Sequence, residues 1–171
     1  MTWLETTDAG SPLEAVLGTD PDLLAHFRDV VARFWSEKLV DPVVLEICRL
    51  RIAKLLGCDA ELQLRYQPAI EAGLGELKIS LIPEYTASPA FSAHERACLA
   101  LTEQFVFDAH GIDDDTFREV SSGFSTEQLA SFLAALSYFE KVSRMKLMLE
   151  LGAPDGTTIV PCPHPDTGVI Y

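Results

Sequence analysis

Apolar residues recur at three- and four-residue steps along much of the chain, and this spacing limits the fold more than any other feature. The clearest case is the run from Leu129 to Met148, which follows the sequence Ser125-Thr-Glu-Gln128. A serine followed three residues later by glutamine satisfies free amide groups at a helix start, and steps of three and four place side chains on one helix face. Strict alternation of apolar and polar residues, which marks a strand, is absent from the middle of the chain. The spacing therefore predicts an all-α fold.

Capping and breaking residues divide the chain into about six predicted helices. Helix starts are expected at Asp20-Pro21, Asp41-Pro42, Asp59, Ser92, Asp113 and Ser125. We expect Gly57 to end the second helix, and Gly73 to close a third that runs from about Asp59 to Ala72. Prolines after Gly152 prevent a further helix. These limits predict an N-terminal extension at residues 1–19, a helical domain at 20–151 and an extended C-terminal tail at 152–171.

The composition excludes several kinds of partner. The chain has 26 acidic and 13 basic side chains, for a net charge of −13, so nucleic acid would be repelled over most of the surface. It has no basic leader followed by an apolar run, and no apolar run long enough to cross a membrane. Its four cysteines lack the close spacing of a metal site and are expected to be reduced thiols. We therefore expect a cytoplasmic protein of one domain, without nucleic-acid or membrane partners, a metal or a cofactor.

Cys58 is the first candidate for chemistry because it directly follows the helix-ending Gly57. Free amide groups and the helix dipole at the start of the next helix would stabilise a thiolate there. The nearby carboxylates of Asp59 and Glu61 would instead raise the pKa of the thiol. The two effects are similar in size, so the residues alone leave the reactivity of Cys58 open.

The segment from Glu46 to Arg65 resembles the active-site segment of the carboxymuconolactone decarboxylase and alkylhydroperoxidase D family. Redox members of that family have a glutamate, eleven intervening residues and then Cys-x-x-Cys-x-x-x-His. Glu46 matches the glutamate and Cys58 matches the first cysteine. Together with similar stretches at 91–103 and 139–144, the resemblance covers about residues 20–151. It implies an alkylhydroperoxidase D-like helical bundle that forms homo-oligomers by packing helices between subunits.

Two positions depart from the family pattern. Glu61 stands where the second cysteine belongs, and Arg65 stands where the histidine belongs, so the two-cysteine cycle cannot operate within this motif. True carboxymuconolactone decarboxylases also have a histidine where Arg65 stands. Glu61 and Arg65 are four residues apart, and on one helix they are predicted to form an ion pair. Arg65 would then be placed to hold a carboxylate while Glu46 or Glu61 moves a proton.

Three hypotheses for function follow. The first is a peroxidase-like oxidoreductase with an antioxidant role, limited to single-cysteine peroxide or thiol chemistry, in which Cys58 reacts with a hydroperoxide and Glu46 relays protons. The second is an acid–base enzyme, of the decarboxylase or isomerase type, that acts on a carboxylated small molecule held by Arg65, with Glu46 or Glu61 as acid or base. The third is a non-catalytic binding or scaffold protein whose cleft has closed around Glu61 and Arg65.

Overall fold

The computed structural model describes Thr7 and residues 10–36 and 39–162. Nine α-helices and one two-stranded sheet are present within these residues. The helices are α1 (Pro12–Leu17), α2 (Pro21–Ser36), α3 (Pro42–Leu56), α4 (Asp59–Leu62), α5 (Gln67–Glu71), α6 (Glu76–Ser80), α7 (Ala93–Asp108), α8 (Asp114–Ser121) and α9 (Thr126–Met148). The strands are β1 (Leu64–Tyr66) and β2 (Thr158–Val160), and short 3-10 turns lie at Ile82–Glu84 and Ala109–Gly111. The predicted all-α class is confirmed.

The capping sequences start helices as predicted. The side chain of Ser92 accepts from the backbone N–H of Glu95, whose carboxylate accepts from the backbone N–H of Ser92. Ser125 and Gln128 repeat this reciprocal arrangement at the start of α9. Asp41 caps α3 by accepting from the backbone N–H of Val43. These local bonds satisfy amide groups that the helix itself leaves free.

The predicted helix from about Asp59 to Ala72 is wrong. The chain forms α4, then β1, then α5, with Pro68 in the first turn of α5. A proline within one continuous helix would remove a backbone hydrogen bond and clash with the preceding turn. In place of the helix, β1 pairs in parallel with β2, with Arg65 opposite Ile159. The backbone groups of β1, which would have bonded within a continuous helix, therefore bond to a segment more than 90 residues away in the sequence.

Both terminal segments pack on the helical domain. Within the segment expected as an N-terminal extension, α1 begins with a reciprocal capping pair of Ser11 and Glu14, and its Leu13 and Leu17 are buried in the main core. The described part of the C-terminal tail contains β2, whose Val160 is fully buried. Residues 1–6, 8–9 and 163–171 of these two segments lie outside the described residues.

Helix α3 runs through the centre of the core, between α7 and α9. Most of its residues from Val44 to Ala53 are buried, including the charged Glu46 and Arg49. The ring of Trp35 at the end of α2 stacks on the ring of Tyr66 in β1, with 4.3 Å between centroids. Through Glu46 and Arg49, α3 brings charged side chains into an otherwise apolar interior.

Among the described residues, every helix is too short or too polar to span a membrane.

We expect Gly57→Ala to destabilise the fold by about 1 kcal/mol, because Gly57 has the left-handed φ of 70° and alanine is strained in that conformation. An added Cβ would meet no atom within 4 Å, so backbone strain is the only cost. Gly152→Ala is the matched control, since its site is equally open and its φ lies outside the left-handed region. Urea unfolding of the two variants checks this, and equal effects would contradict it.

Candidate active site

A buried ion pair forms within α3, between Glu46 and Arg49. The Nε of Arg49 donates to Oε2 of Glu46 at 2.7 Å, and its Nη2 donates to Oε1 of the same carboxylate at 2.7 Å. Each side chain is only 1% exposed. The three-residue separation on a helix places the two groups on one face, and this face points into the core towards α4 and β1.

The same guanidinium also binds Glu61 and the backbone beyond it. Nη1 of Arg49 donates to Oε2 of Glu61 at 2.7 Å and to the carbonyl of Glu61 at 2.8 Å. Nη2 donates to the carbonyl of Leu64 at 2.9 Å. Two carboxylates, predicted separately as acid–base candidates, are therefore brought together by an arginine between them.

Lys146 of α9 completes the cluster from the opposite side. Its Nζ lies 2.5 Å from Oε1 of Glu61 and the side chain is buried. This distance makes the contact a close ion pair between an ammonium group and a carboxylate. We call Glu46, Arg49, Glu61 and Lys146 the buried tetrad. It holds two negative and two positive charges.

The tetrad controls the protonation of Glu61. Burial alone would raise the pKa of its carboxyl group, but the charges of Lys146 and Arg49, with their hydrogen bonds, lower the pKa below its usual value. The pKa of Arg49 is raised, because the attraction of Glu46 and Glu61 outweighs the effect of burial. Glu61 and Arg49 are therefore both ionised at neutral pH, although both side chains are buried.

Cys58 lies beside the tetrad, at the residue before α4, and is 1% exposed. It packs against Ala53, Ala60 and Leu62. Burial raises the pKa of its thiol, and this effect outweighs the backbone N–H groups of Glu61 and Ala60 that point towards the sulfur. The carboxylate of Glu61 raises the pKa further, while Lys146 opposes it. Cys58 is therefore a protonated thiol at neutral pH.

Arg65 is not part of the tetrad, and the predicted helical pair of Glu61 and Arg65 is wrong. The reason is that Glu61 ends up in α4 and Arg65 in β1 rather than on one helix. Nε of Arg65 donates to Glu76 at 2.7 Å, Nη2 donates to the other oxygen of the same carboxylate at 3.1 Å, and Nη1 donates to the carbonyls of Leu62 and Leu64. These bonds fix Arg65 as a brace between β1 and α6.

A cavity of about 130 Å³ adjoins the tetrad. Lys146 lines it, together with Ala60 and Leu64 and with residues from both terminal segments, Ser11–Leu13 and Leu151–Pro154. A larger groove of about 670 Å³ lies near His94 and Glu119, away from every predicted site residue. Among the described residues no group of His, Cys, Asp or Glu could hold a metal ion. The smaller cavity is thus the place where a molecule would meet a charged group of the tetrad.

Sequence reasoning missed Arg49 and Lys146, although each carries a recognisable signal. Arg49 is a charged residue three positions after Glu46 in a mostly apolar helix. Lys146 continues the buried stripe of α9, since it lies four residues after Val142 and three after Ser143, both of them buried. A charge at a core position requires an opposite charge nearby, and two such cations matched to Glu46 and Glu61 would have indicated the cluster.

Comparison with solved structures places the arrangement of helices in a known class, the alkylhydroperoxidase D-like helical fold. No protein-family model matches the chain, and no curated protein matches it. The resemblance seen in the sequence is therefore supported at the level of the fold.

One similar structure is a cysteine-to-alanine variant of the debrominase Bmp8 in complex with 2,3,4-tribromopyrrole, with a TM-score of 0.73 and 15% identity over 86% of this chain and 79% of that one. Bmp8 without ligand gives a TM-score of 0.70 at 17% identity, over 82% of this chain and 76% of that one. A protein of unknown function from Agrobacterium tumefaciens, suggested to be the antioxidant defence protein AhpD, gives 0.67 at 21% identity, over 81% of this chain and 94% of that one. At these identities the likeness concerns the fold alone.

We expect Arg49→Met to destabilise the protein by about 3–5 kcal/mol, because it leaves the buried carboxylates of Glu46 and Glu61 without their shared cation. Arg144→Met removes an arginine from an exposed helical pair with Glu140 and should cost less than about 0.5 kcal/mol. Chemical unfolding of both variants measures the difference. A small effect of Arg49→Met would show that the tetrad does not hold this part of the core together.

Proposed function

We propose that this chain is an acid–base enzyme that acts on a small molecule in the cavity beside Lys146. The observation that carries the proposal is the double position of Lys146, which lines the cavity and also lies 2.5 Å from the carboxylate of Glu61. A proton donor paired with a buried acceptor beside a cavity is an arrangement suited to proton-transfer chemistry. Such a pair acts more strongly there than in water, because the local dielectric constant is low.

The tetrad suggests a separate role for each residue. The ammonium group of Lys146 would face the ligand and donate a hydrogen bond or a proton to an oxygen on which negative charge develops. The amine left after that transfer would take the acidic C–H proton of the ligand, which yields the enol and restores the ammonium group, and the ionised carboxylate of Glu61 would stabilise that ammonium group through Oε1. Arg49 would hold Glu61 in place, and Glu46 would balance the charge of Arg49. The reaction classes that fit are isomerisation and decarboxylation, both of which pass through an enolate-like state.

This function corresponds to the second hypothesis from the sequence, but a different residue faces the ligand. Arg65, which was expected to hold a substrate carboxylate, is bonded to Glu76 and to two carbonyls, and it does not line the cavity. Lys146 takes its place as the group that faces a ligand. The debrominase and the suggested antioxidant protein with this fold indicate that the fold alone does not select one chemistry. The choice of acid–base chemistry over the other two rests on the charged residues around the cavity.

We expect the wild-type protein to catalyse exchange of deuterium from heavy water into the acidic C–H positions of small cyclic ketones or lactones, followed by NMR. Lys146→Met should slow this exchange by about 100-fold or more, because general acid–base groups contribute at least that much. The double variant Glu61→Gln with Lys146→Met removes one charge of each sign, keeps the balance of the buried cluster and should be equally slow. Glu140→Gln, in the α9 surface pair with Arg144, is the control and should retain full exchange.

Two results would overturn the proposal. One is exchange that persists in a folded double variant, which would place the activity elsewhere. The other is no exchange by the wild-type protein with any compound of the panel, which would favour the non-catalytic binding or scaffold protein.

A second candidate is single-thiol chemistry at Cys58. The observation in its favour is that the backbone N–H groups of Ala60 and Glu61 both point towards the sulfur and lower the pKa of the thiol. Such donors stabilise the thiolate that attacks a peroxide. Burial and the carboxylate of Glu61 act in the opposite direction, so this candidate ranks behind the first.

We expect Cys58 to be alkylated slowly, with a pH midpoint above the usual value of 9.0, because burial raises the pKa of its thiol. The exposed Cys162 provides an internal reference that should react much faster. Peptide mass spectrometry after alkylation over a pH series reads each cysteine separately. A pH midpoint of alkylation below 9.0, together with loss of the Cys58 signal after peroxide treatment, would favour thiol chemistry at Cys58 over the acid–base proposal.

A further inference from the structure

The tetrad beside the cavity is balanced in charge. Glu46 and Glu61 contribute two negative charges, Arg49 and Lys146 contribute two positive charges, and all four residues are buried. Arg49 contacts both carboxylates, and Lys146 contacts Glu61. Each ion therefore has a counter-ion inside the protein before any ligand enters.

A bound anion would disturb this balance. A carboxylate placed against Lys146 would compete with Glu61 for the same ammonium group and would leave one buried negative charge in excess. Taking an uncompensated charge out of water costs several kcal/mol. Arg65 does not relieve this cost, because it is paired with Glu76 and does not line the cavity. An anion would pair well only if a proton entered with it and neutralised either the ligand or Glu61.

The size and walls of the cavity limit the ligand in a second way. Its volume is about 130 Å³, and an engineered apolar cavity of about 150 Å³ in another protein binds benzene. Leu13, Ala60, Leu64 and Leu151 supply apolar surface, and Lys146 supplies the charged group. A compound of one small ring fits this space, whereas a fused pair of rings would exceed it.

We infer that the cavity takes an uncharged molecule of the size of a single five- or six-membered ring, with one hydrogen-bond acceptor directed at Lys146, and that anions enter only together with a proton. This inference rests on the proposed function, because it assigns the substrate class of the same cavity. It replaces the carboxylated substrate of the second hypothesis with a neutral one. The cavity favours neutral ligands over anions because the charges of the tetrad already balance, and not because a particular side chain repels anions.

The test compares two probes that have the same number of non-hydrogen atoms, cyclopentanone and cyclopropanecarboxylate. Binding is followed by the amide shifts of the isotope-labelled protein. We expect cyclopentanone to shift the amides of Ala60, Leu64 and Ala153. Cyclopropanecarboxylate should bind about 100-fold more weakly at neutral pH, because it adds an uncompensated buried charge. Its affinity should rise as the pH falls and a proton becomes available.

Two variants show whether the probe enters this cavity. Ala153→Phe adds a ring to the exposed segment that lines the cavity and should abolish the shifts caused by cyclopentanone. Ala130→Phe places the same ring on the exposed face of α9 outside the cavity lining and should leave them unchanged. A circular dichroism spectrum confirms that both variants are folded.

The outcomes separate this inference from the proposed function. Equal affinity for the two probes at neutral pH, at the same residues, would overturn the inference and leave the cavity as the proposed site. No shift with either probe would also overturn it. In both cases the exchange assay with Lys146→Met decides the proposed function independently, provided that its panel contains lactones and cyclic ketones other than cyclopentanone.

Discussion

The guanidinium of Arg49 donates five hydrogen bonds, to the carboxylates of Glu46 and Glu61 and to the carbonyls of Glu61 and Leu64. An arginine has five N–H donors, so every donor is used although the side chain is almost fully buried. These bonds join α3 to α4 and β1, which are the segments that carry the site. A lysine could not replace this fork, because it offers a single point of charge in place of a planar set of donors. The position of Glu61, and through it that of Lys146, depends on this one side chain.

Much of the fold could be predicted from the sequence because its signals are local. The pairs of Ser92 with Glu95 and of Ser125 with Gln128 act within one helix turn, and their helices begin where expected. The same pattern at Ser11 and Glu14 was present but not recognised, and α1 was therefore missed. β1 could not be predicted in this way, because it exists through pairing with β2 at the other end of the chain. Local propensity favoured a helix there, and the tertiary pairing prevailed.

The candidate site was predicted in part, for a related reason. Glu46 is predicted by the family resemblance, Cys58 by its place after Gly57 and Glu61 by its spacing from Arg65, and the structure places them close together. Arg49 and Lys146 were not identified, because their importance comes from what they meet across the core. Helical spacing predicts Glu61 as the partner of Arg65. Arg65 bonds instead to Glu76, which is eleven residues away in the sequence and lies in a different element. Spacing finds residues that share an element, whereas the tetrad is built from α3, α4 and α9. The expected homo-oligomer and cytoplasmic location stay predictions.

Glu61 occupies the position at which redox members of the resembling family have their second cysteine. A buried thiol needs no counter-ion, whereas a buried carboxylate is stable as an ion only beside cations. Arg49 and Lys146 meet this requirement, and they lower the pKa of Glu61 despite its burial. The same carboxylate raises the pKa of Cys58, whereas Lys146 lowers it, so the carboxylate of Glu61 and not its cations makes the remaining thiol less reactive. The cations keep Glu61 ionised, and its negative charge disfavours a second negative charge on the sulfur of Cys58. This opposition is why the acid–base proposal and the thiol candidate are alternatives rather than two activities of one site.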